Sequence, residues 1–246
     1  MKLEIKNLKK QYGKQLALND LSITFEPGIY GILGANGAGK STMMNLLTDN
    51  LKRDGGEILW NGTDILTLGQ KFRGLLGYMP QQQGFYEHMT AQTFLYYMAD
   101  LKGLPKRQAA AEIDKLLDIT SLSHVRHKKL GGYSGGMKQR LGIAQAMLND
   151  PHILILDEPT AGLPSGAGAF GRPEGGDTGR AYRWPRSEGA HSYPQLYLRL
   201  FPQSDYPAGN AYRQRHRIHL RPNLDDEKGL HGWYCRSRRF GGKRRG

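Results

Sequence analysis

Residues 34 to 42 read Gly34-Ala35-Asn36-Gly37-Ala38-Gly39-Lys40-Ser41-Thr42, the spacing G-x-x-x-x-G-K-[ST]. Glycines at these intervals let backbone N–H groups converge on phosphate oxygens without obstruction by Cβ atoms. A helix starting there adds the partial positive charge of its amino terminus. Lys40 would hold the outer phosphates of a nucleoside triphosphate, Ser41 would offer a hydroxyl to Mg²⁺, and Thr42 would donate to the innermost phosphate. Far along the chain, the apolar run His152-Ile153-Leu154-Ile155-Leu156 delivers Asp157 and Glu158. A phosphate cradle still needs one carboxylate for hydrated Mg²⁺ and another for the attacking water. Neighbouring residues on a strand point to opposite sides, so Asp157 and Glu158 can divide these roles. ATP or GTP binding is the chemistry expected.

Both motifs depend on elements that the hydrophobic pattern outlines. Leu3-Glu4-Ile5-Lys6 and Leu21-Ser22-Ile23-Thr24-Phe25 alternate as half-buried strands do. Ile29-Tyr30-Gly31-Ile32-Leu33 reads as a buried strand feeding the glycine loop. Helices are expected over 40–49, 91–102, 107–118 and 135–148, and strands over 57–60, 75–79 and 152–156. Strands alternating with helices imply an α/β core with a mostly parallel sheet.

The segment Tyr133-Ser134-Gly135-Gly136-Met137-Lys138-Gln139-Arg140 lies between these motifs. In this order the three motifs resemble those of the ATP-binding-cassette (ABC) ATPase family. Tyr133 and Met137 stand where the family's Leu-Ser-Gly-Gly-Gln signature has Leu and Gln, a variant familiar among exporter-type members. The resemblance implies a P-loop NTPase core with an antiparallel β subdomain and a helical insert, the helical subdomain spanning about 85–148. It implies ATP and Mg²⁺ as ligands, with Gly34, Asn36, Gly37, Ala38, Gly39, Lys40, Ser41 and Thr42 around the phosphates. Tyr12 would stack on adenine, and Gln81 would contact Mg²⁺ or the water. Lys40, Gln81 and Glu158 would act in hydrolysis, with Ser41, Gln81 and Asp157 around the metal. Ser134, Gly135 and Gly136 would face the nucleotide of a second ATPase subunit, in a homodimer or heterodimer. A multi-span membrane permease would dock on the helical insert. The expected location is cytoplasmic, at the inner face of the membrane through that partner.

Composition divides the chain. The net charge is +13, yet residues 1–163 contribute +4 and 164–246 contribute +9. The last 83 residues contain 13 Gly, 7 Pro and 14 Arg, a single Ile and neither Val nor Met, which leaves little for a core. Residues 1–163 therefore read as an incomplete ABC ATPase domain, and 164–246 as an aberrant, irregular, disordered basic tail. The family continues Ala-Gly-Leu with Asp-Pro and later supplies a strand ending in His. Here Pro164-Ser165-Gly166 follows Leu163, and His191 lacks an apolar strand before it. Loss of two nucleotides from an Asp codon would convert a family-like reading into this one. The same shift lets Glu188 to Pro194 be decoded as a basic residue followed by Val-Leu-Ile-Ala-Thr-His. The tail is thus expected to be frameshifted, and the chain to be impaired in hydrolysis. The rival expectation is a non-hydrolysing nucleotide-binding fragment, or a nucleic-acid-associated protein using Arg213-Gln214-Arg215-His216-Arg217. The modest charge of residues 1–163 argues against nucleic acid as their partner. Cys235 is the sole cysteine, so no intrachain disulfide forms, and neither a signal peptide nor an apolar run of membrane-spanning length is evident.

Overall fold

The structure is a computed structural model that describes residues 1–33, 37–157, 196–200, 215–222 and 233–239. These fall into two compact units. The first comprises 1–78, 152–157 and the strands beyond 193, and the second comprises 79–151.

In the first unit, β1 (Leu3–Tyr12) and β2 (Gln15–Phe25) form a hairpin, and β4 (Gly55–Trp60) and β5 (Thr63–Asp64) extend it into a sheet of order β2-β1-β4-β5. All its pairings are antiparallel. Alternation buries Leu3, Ile5, Leu21, Ile23 and Phe25, while Glu4 and Thr24 take the other face, and a register shift after Ile5 brings Leu8 to the buried side. The buried side pools with Ile32, Ile153 and Ile155 of the second sheet and with Met43, Met44, Leu46 and Leu47 of helix α1 (Lys40–Leu47) in one apolar cluster. The short helices α2 (Ile65–Leu68) and α3 (Gln70–Arg73) add Ile65 and Phe72 to it.

The second sheet has the order β10-β9-β3-β8-β7-β6, with β3 spanning Gly28–Leu33, β6 Leu76–Met79 and β7 Ile153–Asp157. Strands β3 and β7 both pair antiparallel with β8 (Leu196–Leu200), so they run in the same direction as each other. Strand β9 (Arg215–Pro222) pairs parallel with β3, and β10 (Trp233–Arg239) antiparallel with β9. The sheet is therefore mixed where the tail joins it. Composition alone pointed to an irregular tail, yet three of its segments carry strand pairing. Leu196, Leu198 and Leu200 recur at every second position, a local period that the overall Gly and Arg content hides. The rest of the tail, His191 included, lies outside the described residues.

The second unit is built on α4 (Ala91–Leu101), α5 (Lys106–Ile119) and α6 (Gly135–Met147). Thr90 caps α4 by accepting from the Thr93 N–H at 3.1 Å. Phe94 and Leu95 are buried, whereas the neighbouring Tyr97 is exposed, as a helical period demands of a five-residue apolar run. Helix α5 buries Ala109, Ile113, Leu116 and Leu117 on one stripe. Among the described residues no helix is long and apolar enough to cross a membrane.

Candidate functional site

Strand β3 ends at Leu33 and α1 begins at Lys40, so the glycine loop occupies the strand-to-helix junction that its spacing requires. Gly34, Ala35 and Asn36 lie outside the described residues. Gly37 and Gly39 adopt φ 81° and φ 74°, where side-chain-bearing residues are strained. A Cβ on Gly37 would meet nothing within 4 Å, so its glycine is needed for conformation and not for space. Gly39 forms the left-handed cap of α1 and makes no side-chain capping bond, and the first turn contains no acid. The first intrahelical bond runs from the Met43 N–H to the Gly39 carbonyl at 2.8 Å. The amides ahead of it and the positive end of the helix dipole are not answered by a capping side chain, which suits an anion. Lys40 is buried at 9% exposure, Ser41 is exposed and Thr42 half-buried. Among the described residues the other two buried polar residues are Thr48 and Thr120, whose hydroxyls simply bond back to the Met44 and Leu116 carbonyls at 2.9 and 2.7 Å.

The sheet register brings Asp157 to the same end of the first unit. Leu196 of β8 pairs with Ile32 on one side and with Asp157 on the other. With strands about 4.8 Å apart, the backbones of β3 and β7 at that level are about 10 Å apart. Ile153 to Leu156 are buried and only Asp157 emerges, half-buried, so a fully apolar strand delivers one carboxylate. On β6, burial pushes the Tyr78 phenol above its ordinary value, and the negative charge of Asp157 pushes it further the same way. The field of Asp157 is thus felt across the strand pair, and a hydrated dication would meet it. Ser41 and Asp157 are oxygen donors of the kind Mg²⁺ takes, so the residues present fit that ion. Glu158 lies outside the described residues.

Tyr12 ends β1 beside the two-residue turn Gly13-Lys14, and its ring is 48% exposed. The Lys10 ammonium sits 5.7 Å from the ring centroid and also bonds Asp54 at 2.9 Å. An exposed ring fixed at a strand end can stack on a flat base. Sequence reading missed Lys10, two residues before Tyr12 on the same strand, and Tyr78, which comes close to Asp157 only through the packing of β6 beside β7.

In the second unit, Gln81 is exposed two residues beyond β6. Ser134 caps α6, accepting from the Met137 N–H at 3.3 Å. Gly135 is exposed with open space around its Cα, and no acid occupies the first turn of α6. Tyr133, standing where the family signature has Leu, is buried and donates its hydroxyl to the Val125 carbonyl at 2.8 Å, so the larger residue satisfies its polar atom. Burial raises its phenol, which the Arg140 guanidinium partly offsets.

Comparison with known proteins identifies the family. Residues 18–161 match the family model described as ABC transporter. The chain is 43% identical over 166 residues to the uncharacterized ABC transporter ATP-binding protein YxlF of Bacillus subtilis, covering 67% of this chain and 55% of that protein. It is 41% identical over 158 residues to the bacitracin transport ATP-binding protein BcrA of Bacillus licheniformis, covering 64% and 51%. The chain thus spans about half the length of these relatives. Among solved structures, an ATP-binding subunit of an ABC transporter superposes with a TM-score of 0.60 at 30% identity, over 67% of this chain and 69% of that one. An ATP-binding cassette in its ADP conformation gives 0.58 at 27% identity, over 68% and 72%.

Proposed function

Since the chain belongs to the ABC transporter family through its ATP-binding domain, we propose that it derives from a subunit that binds and hydrolyses ATP to drive transport, in the export direction, through a separate membrane permease. The observation that carries this reading is the acid-free start of α1 at Lys40, which no side chain caps, with Asp157 level with Ile32 near the end of the strand that leads into the loop. Lys40 and the α1 amides would hold the outer phosphates. Ser41, Gln81 and Asp157 would hold Mg²⁺, which when bound neutralises phosphate charge. Tyr12 would stack on adenine. Glu158 would orient a water for in-line attack on the γ-phosphorus, with departure of the β-phosphate oxygen. Ser134, Gly135 and Gly136 would complete the nucleotide site of a second ATPase subunit, a copy of this chain or a related one, at the inner membrane face.

Residues 164–246 are read as a frameshifted continuation. The family match ends at residue 161, and the basic excess begins after Leu163. Without a switch His or dimer-contacting Asp, the chain should bind nucleotide but turn over little. Titration with a fluorescent ATP analogue tests the site: Mg-nucleotide binding should fall at least about 100-fold in Lys40→Ala, the scale of losing charged phosphate contacts. Equal binding by Lys40→Ala refutes the site. Steady ATPase turnover abolished by Glu158→Gln refutes the impairment. A nucleotide sequence with no family-like reading in another frame refutes the frameshift.

A further inference from the structure

Gly142 lies in the interior of α6, where glycine is a poor helix former and calls for a packing reason. A Cβ there would fall 2.0 Å from Gln83 Nε2, 2.1 Å from Oε1 and 2.4 Å from Cδ. The amide of Gln83 therefore occupies the space a side chain at 142 would need. Its Oε1 is enclosed and has no hydrogen-bond partner. Close packing rather than a hydrogen bond to Oε1 marks this contact, and release would let water satisfy the oxygen. Two residues further on, the Phe85 ring packs edge-on against Phe94 of α4 at 5.3 Å. The stretch bearing the exposed Gln81 is thus gripped within the helical unit by Gln83 and Phe85.

We propose that Gln83 is a positioning residue: seated on the bare Cα of Gly142, it ties the segment carrying Gln81 to α6, the helix whose other end carries Ser134. Displacement of α6 then moves Gln81, and loss of the seat frees Gln81 from α6. The role rests on the reading of Gln81 as a Mg²⁺-contacting residue, whereas the seat itself stands on geometry alone.

The test uses the full chain with Gly142→Ala, Gln83→Ala, the double variant and Gln81→Ala. Amide hydrogen exchange over 81–84 reads the seat, and the Mg²⁺ concentration needed for half-saturation by a fluorescent ATP analogue reads its consequence. Gly142→Ala and Gln83→Ala should each speed exchange over 81–84 by about ten-fold or more, the effect of losing a packed local contact. Both should raise the Mg²⁺ requirement while leaving Mg²⁺-free binding unchanged. In the Gln83→Ala background, Gly142→Ala should add nothing, because the space is already vacant. Unchanged exchange in Gln83→Ala, or an equal increment from Gly142→Ala in both backgrounds, overturns the seat. If exchange responds as expected but Gln81→Ala leaves the Mg²⁺ requirement intact, the seat stands and the positioning role falls with the reading of Gln81.

Discussion

Replacing Lys102 with Met should flatten the rise of stability with pH above about pH 8. Lys102 follows α4, and its Nζ donates to the Leu148 carbonyl at 2.7 Å, at the carboxyl end of α6. Glu112 of α5 accepts from the Asn149 N–H at 2.6 Å and the Asp150 N–H at 3.3 Å. These bonds hold a turn in which Asn149 and Asp150 have φ 68° and 41°, a left-handed conformation that Asn and Asp enter more readily than most residues other than glycine. Burial lowers the Lys102 ammonium from 10.5 to about 8, and the attraction of Glu112 partly opposes it. Below pH 8 both folded and unfolded chains carry the proton, and the folded state bears the full cost of dehydrating it. Between 8 and 10.5 the unfolded chain keeps a proton that the folded one has released, so stability rises by up to about 1.4 kcal/mol per pH unit and at most about 3 kcal/mol in all. Lys102→Met removes that dependence. It also removes a charged hydrogen bond worth about 1.5–3 kcal/mol, so near neutrality the two changes largely cancel and the pH dependence is the sharper observable. Urea unfolding of both proteins, followed by circular dichroism in steps between about pH 7 and 10, gives the difference curve, in which tyrosine ionisation common to both cancels. A difference that stays constant with pH refutes the assignment of a buried, proton-releasing lysine.

Gly56→Ala should destabilise the first unit by about 3 kcal/mol or more, measured by thermal unfolding. Gly56 has φ 80°, and its Cβ would lie 2.3 Å from the Asn7 carbonyl oxygen, backbone that cannot move aside cheaply. Gly135→Ala, at a helical position with open space around it, should leave stability unchanged or raise it by up to about 1 kcal/mol. Ser134→Ala should cost about 1 kcal/mol through loss of the α6 cap, with faster hydrogen exchange confined to the first turn, and Ser134→Asp should restore it.

The elements that carry chemistry were legible because each is specified locally. Helix α1 starts at Lys40, where the glycine loop sets it, and α6 starts at Gly135, immediately after the Ser134 cap. Expected boundaries for 91–102 and 135–148 differ from the observed helices by one residue at one end, and those for 107–118 by one residue at both. The hairpin strands run longer than their alternating cores suggested, to Tyr12 and from Gln15, because irregular register between Ile5 and Gln11 breaks the strict period. The little helices α2 and α3 are too short for a period to be seen.

By itself, the sequence determined the phosphate-binding chemistry, the order of its motifs, and the change of composition after Leu163. These depend on residue type and spacing along the chain. Tertiary structure alone decided that Asp157 stands level with β3 across one intervening strand, that Lys102 and Glu112 hold the turn after α6, and that Gln83 fills the place of a missing side chain at Gly142. Each joins residues brought near by strand register or helix packing, and such proximity has no local signal. The strands of the tail show the same limit from the other side. A few alternating leucines find partners in β3 and β7 that composition, averaged over 83 residues, could not anticipate.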